Sequence, residues 1–251
     1  MTAALQPLGS GGAPRAAAAV VEDLRLRDAD RAPAGRPRVV AAMIASADGR
    51  AAVDGRSGGL GHPADRDLLR ELRTGVDAVL VGSATLRAER YAKLLDPPQR
   101  ARRASAGLPS QPLVATVSRD LDVPVDIGLF GEPDARVHVF TESAGELKGR
   151  GAEVHVHRFD PGALRLAEAL ALLHAELGVA AVLCEGGPPL LRRLVGEGCV
   201  DDLMLTLAPL LVAGDEPAPL AGEALRPPAS MALRAVLRAD DHLVLHYALG
   251  S

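Results

Sequence analysis

Aromatic side chains are nearly missing from this chain: there is no tryptophan, and all aromatics together make up 2% of its 251 residues. The core must therefore be built from Leu, Val and Ala, and a planar ligand would lie against aliphatic side chains and backbone. Cysteine is as scarce. Cys184 and Cys199 have neither metal-type nor redox-type spacing, and Cys184 ends an apolar run, as a small buried hydrophobe would. The motifs His-x-Glu and Pro-Cys-x-x-Cys of a zinc deaminase are missing, which excludes that chemistry. So are a Gly-x-Ser-x-Gly elbow and a Walker-type phosphate loop. The seven histidines form no metal cluster; His155 and His157 share one strand face, which reads as a solvated edge. A formal charge of −4 gives no electrostatic reason to expect nucleic acid. No window approaches the roughly 18 apolar residues of a membrane span, and the short run Ala16–Val21 leads into Glu22 and Asp23 rather than a cleavage site. The cytoplasm is the expected location.

What is present is an ordinary globular composition, 48% hydrophobic and 24% charged. Residues 1–36, rich in Ala, Gly, Pro and Arg, read as a flexible leader with one short helix around Val20–Arg27, and residues 37–251 as a single domain. From Pro37 onward, strand and helix patterns alternate. Strands are expected at Arg38–Ile44, Asp77–Val81, Leu113–Ser118, Arg136–Thr141, Glu153–His157 and Ala180–Cys184. Helices are expected at His62–Arg73, with Pro63 in the first turn, over Leu166–Leu177, and at Pro189–Val195. Arg90–Gln111 reads as a long polar loop. Asp202–Leu207, Leu233–Leu237 and Leu243–Tyr247 form a strand-rich end with an antiparallel pair. Together these imply an α/β fold of three αβα layers, a mostly parallel sheet with antiparallel C-terminal edge strands.

Three stretches carry chemistry. The strand Ala180–Cys184 runs through Glu185, Gly186 and Gly187 into a helix that starts with proline. Glycine lets backbone N–H groups approach a ligand, and a helix N-terminus favours an anion, so this turn suits a pyrophosphate; a ligand-free connection is the alternative. Gly82, Ser83 and Thr85 repeat the geometry after Asp77–Val81, where Thr85 either caps a helix or meets a cofactor oxygen. On one parallel sheet both turns would lie at its carboxyl edge, where such sheets bind ligands. The third is Ala45-Ser46-Ala47-Asp48-Gly49-Arg50, a turn signal, followed by a glycine-rich loop from Asp54 to Gly61 that reads as mobile and able to fold over a ligand.

These stretches, in order with Ser57-Gly58-Gly59, Leu72-Arg73 and Asp201–Leu211, resemble the reductase domain of riboflavin biosynthesis, over about residues 36–249. Val53–Leu60 and Arg87-Ala88-Glu89-Arg90-Tyr91 are closest to stand-alone actinobacterial-type pyrimidine reductases. The resemblance implies a dihydrofolate-reductase-like fold, NADPH as cofactor, and reduction of a ribosylamino group on a phosphorylated aminopyrimidine, as in a 5-amino-6-(5-phosphoribosylamino)uracil reductase. It places cofactor contacts at Ala45, Gly59, Thr85, Ser118, Gly186, Gly187 and Leu190, with Gly82 in the same turn. Substrate contacts fall at Ser57, Arg73 and Glu185. Arg119 is the candidate for the 2′-phosphate; Glu89 and Asp48 are candidate proton donors, with Asp48 open to a purely structural role. No metal is implied. A homodimer is, together with a cis peptide bond at Gly186–Gly187. One departure bears on substrate. Asp96 stands where the family places a phosphate-binding Arg, so Arg90, Lys93 or the basic residues Arg100, Arg102 and Arg103 take its place, or the substrate is a pterin or another heterocycle. An NADPH-binding protein without turnover is the third reading.

Overall fold

The computed structural model describes residues 4–8 and 12–250. Ten strands form one sheet, in the order β1 (Gln6–Pro7), β9 (Met231–Ala239), β10 (His242–Leu249), β8 (Asp202–Ala208), β2 (Arg38–Ser46), β7 (Ala181–Cys184), β3 (Ala78–Gly82), β4 (Leu113–Val117), β5 (Arg136–Thr141) and β6 (Glu153–Arg158). From β8 through β6 every pairing is parallel. The pairs β8–β10, β10–β9 and β9–β1 are antiparallel, as the strand-rich end implies. Central strands such as β7 and β3 are apolar and buried on both faces, the signature of a parallel sheet covered by helices.

The covering helices make two cores. One face packs α1 (Ala17–Asp23), α2 (Pro63–Gly75) and α3 (Ser83–Glu89) through residues such as Val20, Leu68 and Leu86. The other packs α5 (Leu166–Leu177) and α6 (Pro188–Gly196) through Leu170, Leu173 and Leu191. The three-layer α/β reading therefore holds. The α5 stripe buries Leu166, Leu170 and Leu173, and Gly178 closes the helix in the left-handed region.

The N-terminal segment departs from the expected flexible leader. Its helix covers Ala17–Asp23 rather than Val20–Arg27, and Ala17, Val20, Val21, Leu24 and Leu26 are buried. Buried Arg38 fixes it: its guanidinium donates to the Leu24 carbonyl at 2.6 Å and twice to Asp202, at 3.0 and 2.6 Å. Local composition suggested flexibility, but Arg38, held in the sheet by its ion pair with Asp202, ties the segment to it through the Leu24 carbonyl.

Arg90–Gln111 is a second departure, since it contains α4 (Pro97–Ser105). Asp96 accepts from the Gln99 N–H while the Gln99 side chain accepts from the Asp96 N–H, a capping box with Pro97 in the first turn. High Arg and Pro content hid this start signal. The Asp96 carboxylate thus has a structural task. Arg103 is 1% exposed and donates to the carbonyls of Pro109, Thr74 and Val76. Arg100 and Arg102 pair with Asp134 and Glu71.

The histidine edge also differs from expectation. Buried His138 lies 2.9 Å from His157 and stacks on His155, so the strand face is a packed ring cluster rather than fully solvated. Burial holds His138 down at about 4. Among the described residues no group of three or more His, Cys, Asp or Glu side chains is placed to hold a metal, and no helix is long and apolar enough to cross a membrane.

Candidate active site

A cleft of about 540 Å³ opens at the carboxyl ends of the parallel strands. One side is made of the two glycine turns, which touch. The Gly82 N–H donates to the Gly186 carbonyl at 2.8 Å. A Cβ placed on Gly187 would stand 2.6 Å from Thr85 Oγ1, so any side chain there would have to displace that hydroxyl. Gly186 has φ +77° and faces the Met43 sulfur at 2.9 Å from an added Cβ, which requires glycine. The Gly186–Gly187 peptide bond is cis, as expected. Helix α6 then opens with Pro188 and Pro189, which carry no N–H, and no side chain caps it. Its first free backbone donor after Gly187 is Leu190. An uncapped helix start behind two side-chain-free positions is a cradle for an anion.

The opposite side is polar and fixed by long-range pairs. Arg73, in the last turn of α2, donates from Nε and Nη2 to the two oxygens of Glu185, at 2.7 and 2.6 Å. The Tyr91 hydroxyl donates to the same carboxylate, and the Arg73 guanidinium lies 5.4 Å from the Tyr91 ring centre. Burial and Glu185 push the Tyr91 phenol well above its ordinary value, and Glu185 raises Arg73 against the opposing effect of burial. Glu89, at the end of α3, accepts from the Ser57 N–H and hydroxyl at 2.8 and 2.9 Å through one oxygen; its other oxygen has no hydrogen-bond partner among the described residues. Between the two sides lie Ala42, Ile44, Leu68, Leu69, Leu72 and Met204, the aliphatic bed the low aromatic content implies.

The expected site residues are therefore only partly gathered. Gly82, Thr85, Gly187, Leu190, Ser57, Glu89 and Glu185 line the cleft, and Arg73 stands directly behind Glu185. Gly186 shapes the turn from beneath. Ala45 is buried within β2, and Gly59 packs on Val53, with an added Cβ only 2.9 Å from the Val53 Cβ. The Ser118 hydroxyl donates to the Asp122 carbonyl of its own turn. Asp48 lies away from the cleft. Its carboxylate accepts from the Ser46 hydroxyl and from the Val212 and Ala213 N–H groups, which hold it down at about 2. A carboxylate so held clamps the loop after β8 and has no proton to give near neutrality. Arg119 is well exposed and 3.7 Å from Glu142, in a groove shared with Arg165, Arg192 and Arg193. Arg193 lines both groove and cleft. Cys184 is buried, with its thiol pushed up to about 12, an inert hydrophobe as read from sequence.

Sequence reasoning missed Asp65 and Thr206, which also line the cleft. The Thr206 hydroxyl donates to Asp65 Oδ1 at 2.6 Å. A signal existed: Asp65, Leu68, Leu69 and Leu72 occupy i, i+3, i+4 and i+7, so a carboxylate sits in the apolar stripe of α2.

The family model for the RibD C-terminal domain matches residues 37–245. The riboflavin biosynthesis protein RibD of Mycobacterium tuberculosis is 31% identical over 182 residues, covering 72% of this chain and 44% of that protein. The 2,5-diamino-6-ribosylamino-4(3H)-pyrimidinone 5′-phosphate reductase of Archaeoglobus fulgidus is 27% identical over 195 residues, covering 75% and 88%. A solved structure of a pyrimidine reductase-like protein from Corynebacterium diphtheriae superposes with a TM-score of 0.73 at 25% identity, covering 86% and 92%. The chain spans about half the length of the RibD proteins it matches.

Proposed function

Since the chain belongs to the RibD C-terminal domain family, we propose that it is an NADPH-dependent reductase acting on the ribosylamino group of a phosphorylated aminopyrimidine, in riboflavin biosynthesis. The observation that carries this reading is the contact between the two glycine turns, where Gly187 abuts Thr85 beside an uncapped helix start. That cradle fits the pyrophosphate of a dinucleotide. When bound, the nicotinamide cofactor supplies the hydride. The chain supplies position and charge: backbone at Gly187 and Leu190 for pyrophosphate, and Thr85 for a neighbouring oxygen. Arg119, Arg192 and Arg193 form the groove for the 2′-phosphate, the feature that separates NADPH from NADH. Glu89 is held by Ser57 with one oxygen free, in position to hold or deliver the proton that reduction of an imine-like carbon requires. Arg73 and Tyr91 fix Glu185 at the substrate side.

The test is NADPH consumption with the phosphoribosylaminopyrimidine, together with rescue of a riboflavin auxotroph lacking only the reductase. Soluble protein that does neither sinks the reading. A second reading, a dihydrofolate or pterin reductase, is favoured by one observation. Among the described residues lining the cleft, Arg193 is the only Arg or Lys, and Asp96 is spent on capping α4. Dihydrofolate-dependent NADPH oxidation tests it. Tight NADPH binding with no turnover of either substrate class would leave the non-catalytic binder. A homodimer accompanies the proposal, with the exposed Met231 and Leu233 of β9 as a natural contact face; light scattering checks it.

A further inference from the structure

Helix α4 is held in place by an unusual kind of contact. Its only buried side chains are Gln99 and Arg103, and none of its apolar residues is covered. Hydrophobic burial therefore does not dock it. Hydrogen bonds do. Gln99, Arg102 and Arg103 stand at i, i+3 and i+4, one face of the helix, and all three reach the last turns of α2. Arg102 pairs with Glu71, and Gln99 Nε2 donates to the Arg70 carbonyl and the Thr74 hydroxyl, both at 3.1 Å. Arg103 Nη1 lies 2.5, 2.9 and 3.5 Å from the carbonyl oxygens of Val76, Thr74 and Arg73.

The end of α2 needs such a partner. The last four carbonyls of a helix find no donor within it, and they carry the negative end of its dipole. Here the chain passes from Gly75 into extended Val76 and on to β3, with no left-handed residue to fold an N–H back. Leu72 and Val76 are fully buried, so water is a poor substitute. One buried cation fills the gap. What it holds is the turn that carries Arg73, whose side chain clamps Glu185. The other group on Glu185 is tied to the same helix: buried Leu94 and Leu95 join Tyr91 to Asp96, the cap of α4. Both partners of Glu185 thus hang from α4, although no residue of α4 lines the cleft.

We propose that Arg103 is a positioning residue for the substrate: by anchoring the C-terminal end of α2 it places Arg73, and through Arg73 the Glu185 carboxylate, where the substrate meets it. This rests on the reductase reading above. Among the described residues the glycine cradle shares no hydrogen bond with α4, so the cofactor side is insulated from a change at Arg103. Substrate affinity therefore carries the effect, and the hydride step and cofactor binding do not.

The test is steady-state kinetics of the full chain with NADPH and whichever substrate the wild type turns over, the ribosylaminopyrimidine phosphate or dihydrofolate. Arg103→Met removes every donor; the substrate KM should rise about 10-fold, with kcat and the KM for NADPH within about 2-fold of wild type. Arg103→Lys keeps an ammonium for the Val76 and Thr74 carbonyls and should hold the rise to about 3-fold. Thr74→Val removes only the hydroxyl that Gln99 meets and should raise the same KM about 2-fold, which keeps the test decisive where Arg103→Met does not fold. In a Glu185→Gln background the Arg103→Lys effect on KM should vanish, since both act through one carboxylate. An unchanged substrate KM, a uniform fall in kcat, or equal rises in both KM values would mean that Arg103 serves stability alone, and overturns the proposal. So does an Arg103→Lys effect that is the same with and without Glu185. Wild type that turns over neither substrate overturns the reductase reading instead. The positioning is then read from urea denaturation of the same double-mutant cycle: coupled losses keep it, and additive losses overturn it.

Discussion

The two sides of the cleft are built on opposite principles. The glycine-turn side is local: Gly82–Thr85 and Gly186–Leu190 each place backbone and small side chains within a few residues of a strand end, and what matters is what glycine omits. The other side is non-local. Arg73 meets Glu185 across 112 residues, Tyr91 meets it across 94, and Asp65 meets Thr206 across 141. On the proposed reading the cofactor is met by backbone and the substrate by side chains that only the folded sheet brings together. The two sides should therefore fail differently when altered.

The largest expected effect is on the non-local side. Removing Arg73 leaves Glu185, with its side chain 4% exposed, as an uncompensated buried charge. Arg73→Ala should cost about 3–5 kcal/mol of folding stability, the range for breaking a buried pair. Glu185→Gln sets an amide NH2 against one of the two Arg73 donors and removes the balancing charge, but should cost less, because the Arg73 side chain is 16% exposed and keeps more contact with water. Urea denaturation of the two variants measures the difference; equal and small losses would mean that this pair does not organise the substrate side. Next is Gly187→Ala, which puts a methyl group 2.6 Å from Thr85 Oγ1. Overpacking of about 1–3 kcal/mol should appear as a roughly 10- to 100-fold loss of NADPH affinity. Adding Thr85→Ala removes the clash and should recover part of the loss, a coupling that a non-contacting pair would not show.

This division also explains what the sequence made legible. Strand and helix order, the parallel centre, the antiparallel end and the glycine turns all follow from short-range pattern, because each is stabilised by neighbours within one element or one turn. The helix α4 was hidden since its arginines resemble a solvated loop until Arg103 is seen donating to three carbonyls. Asp48 looked chemical because Asp-Gly follows a strand, yet its partners Val212 and Ala213 lie in a loop more than 160 residues away. Tyr91 stood only as part of a family likeness; nothing in its surroundings along the chain points to Glu185. Asp65 was readable in principle, as a charge in an apolar stripe, but its meaning depends on Thr206.

A pH experiment sharpens the contrast between Glu185, ion-paired with Arg73, and Asp65, which Thr206 bonds and which feels His242, Arg66 and His62 only through space. The Asp65 carboxyl is raised in the folded state, so the native protein binds more protons than the unfolded chain just above the ordinary value of 3.8. Stability is then fully present below that value and declines as pH rises through the folded one. Asp65→Asn should remove this decline. His138 contributes the opposite slope nearby: held down at about 4, it makes stability fall as pH drops from 6.5. The difference between wild type and Asp65→Asn across acid pH isolates the carboxylate, since His138 is common to both. No difference in slope would mean that Asp65 is effectively solvated.

The smallest effect expected lies in the arginine groove beside the cleft. Arg119 is 71% exposed and already faces Glu142 at 3.7 Å, so it meets a 2′-phosphate in high dielectric and under salt screening. A contact of that kind is worth about 0.2–1 kcal/mol, so Arg119→Ala should raise the KM for NADPH only about 1.5- to 5-fold and leave NADH unchanged. Arg193 reaches both cleft and groove and is less exposed, so Arg193→Ala should have the larger effect on the NADPH-to-NADH ratio. The ordering matters more than either value. If Arg119→Ala outweighs Arg193→Ala, the phosphate sits out on the loop after β4 and the groove is bystander surface. If neither changes the ratio, cofactor choice lies outside this arginine cluster, and the glycine cradle binds either dinucleotide.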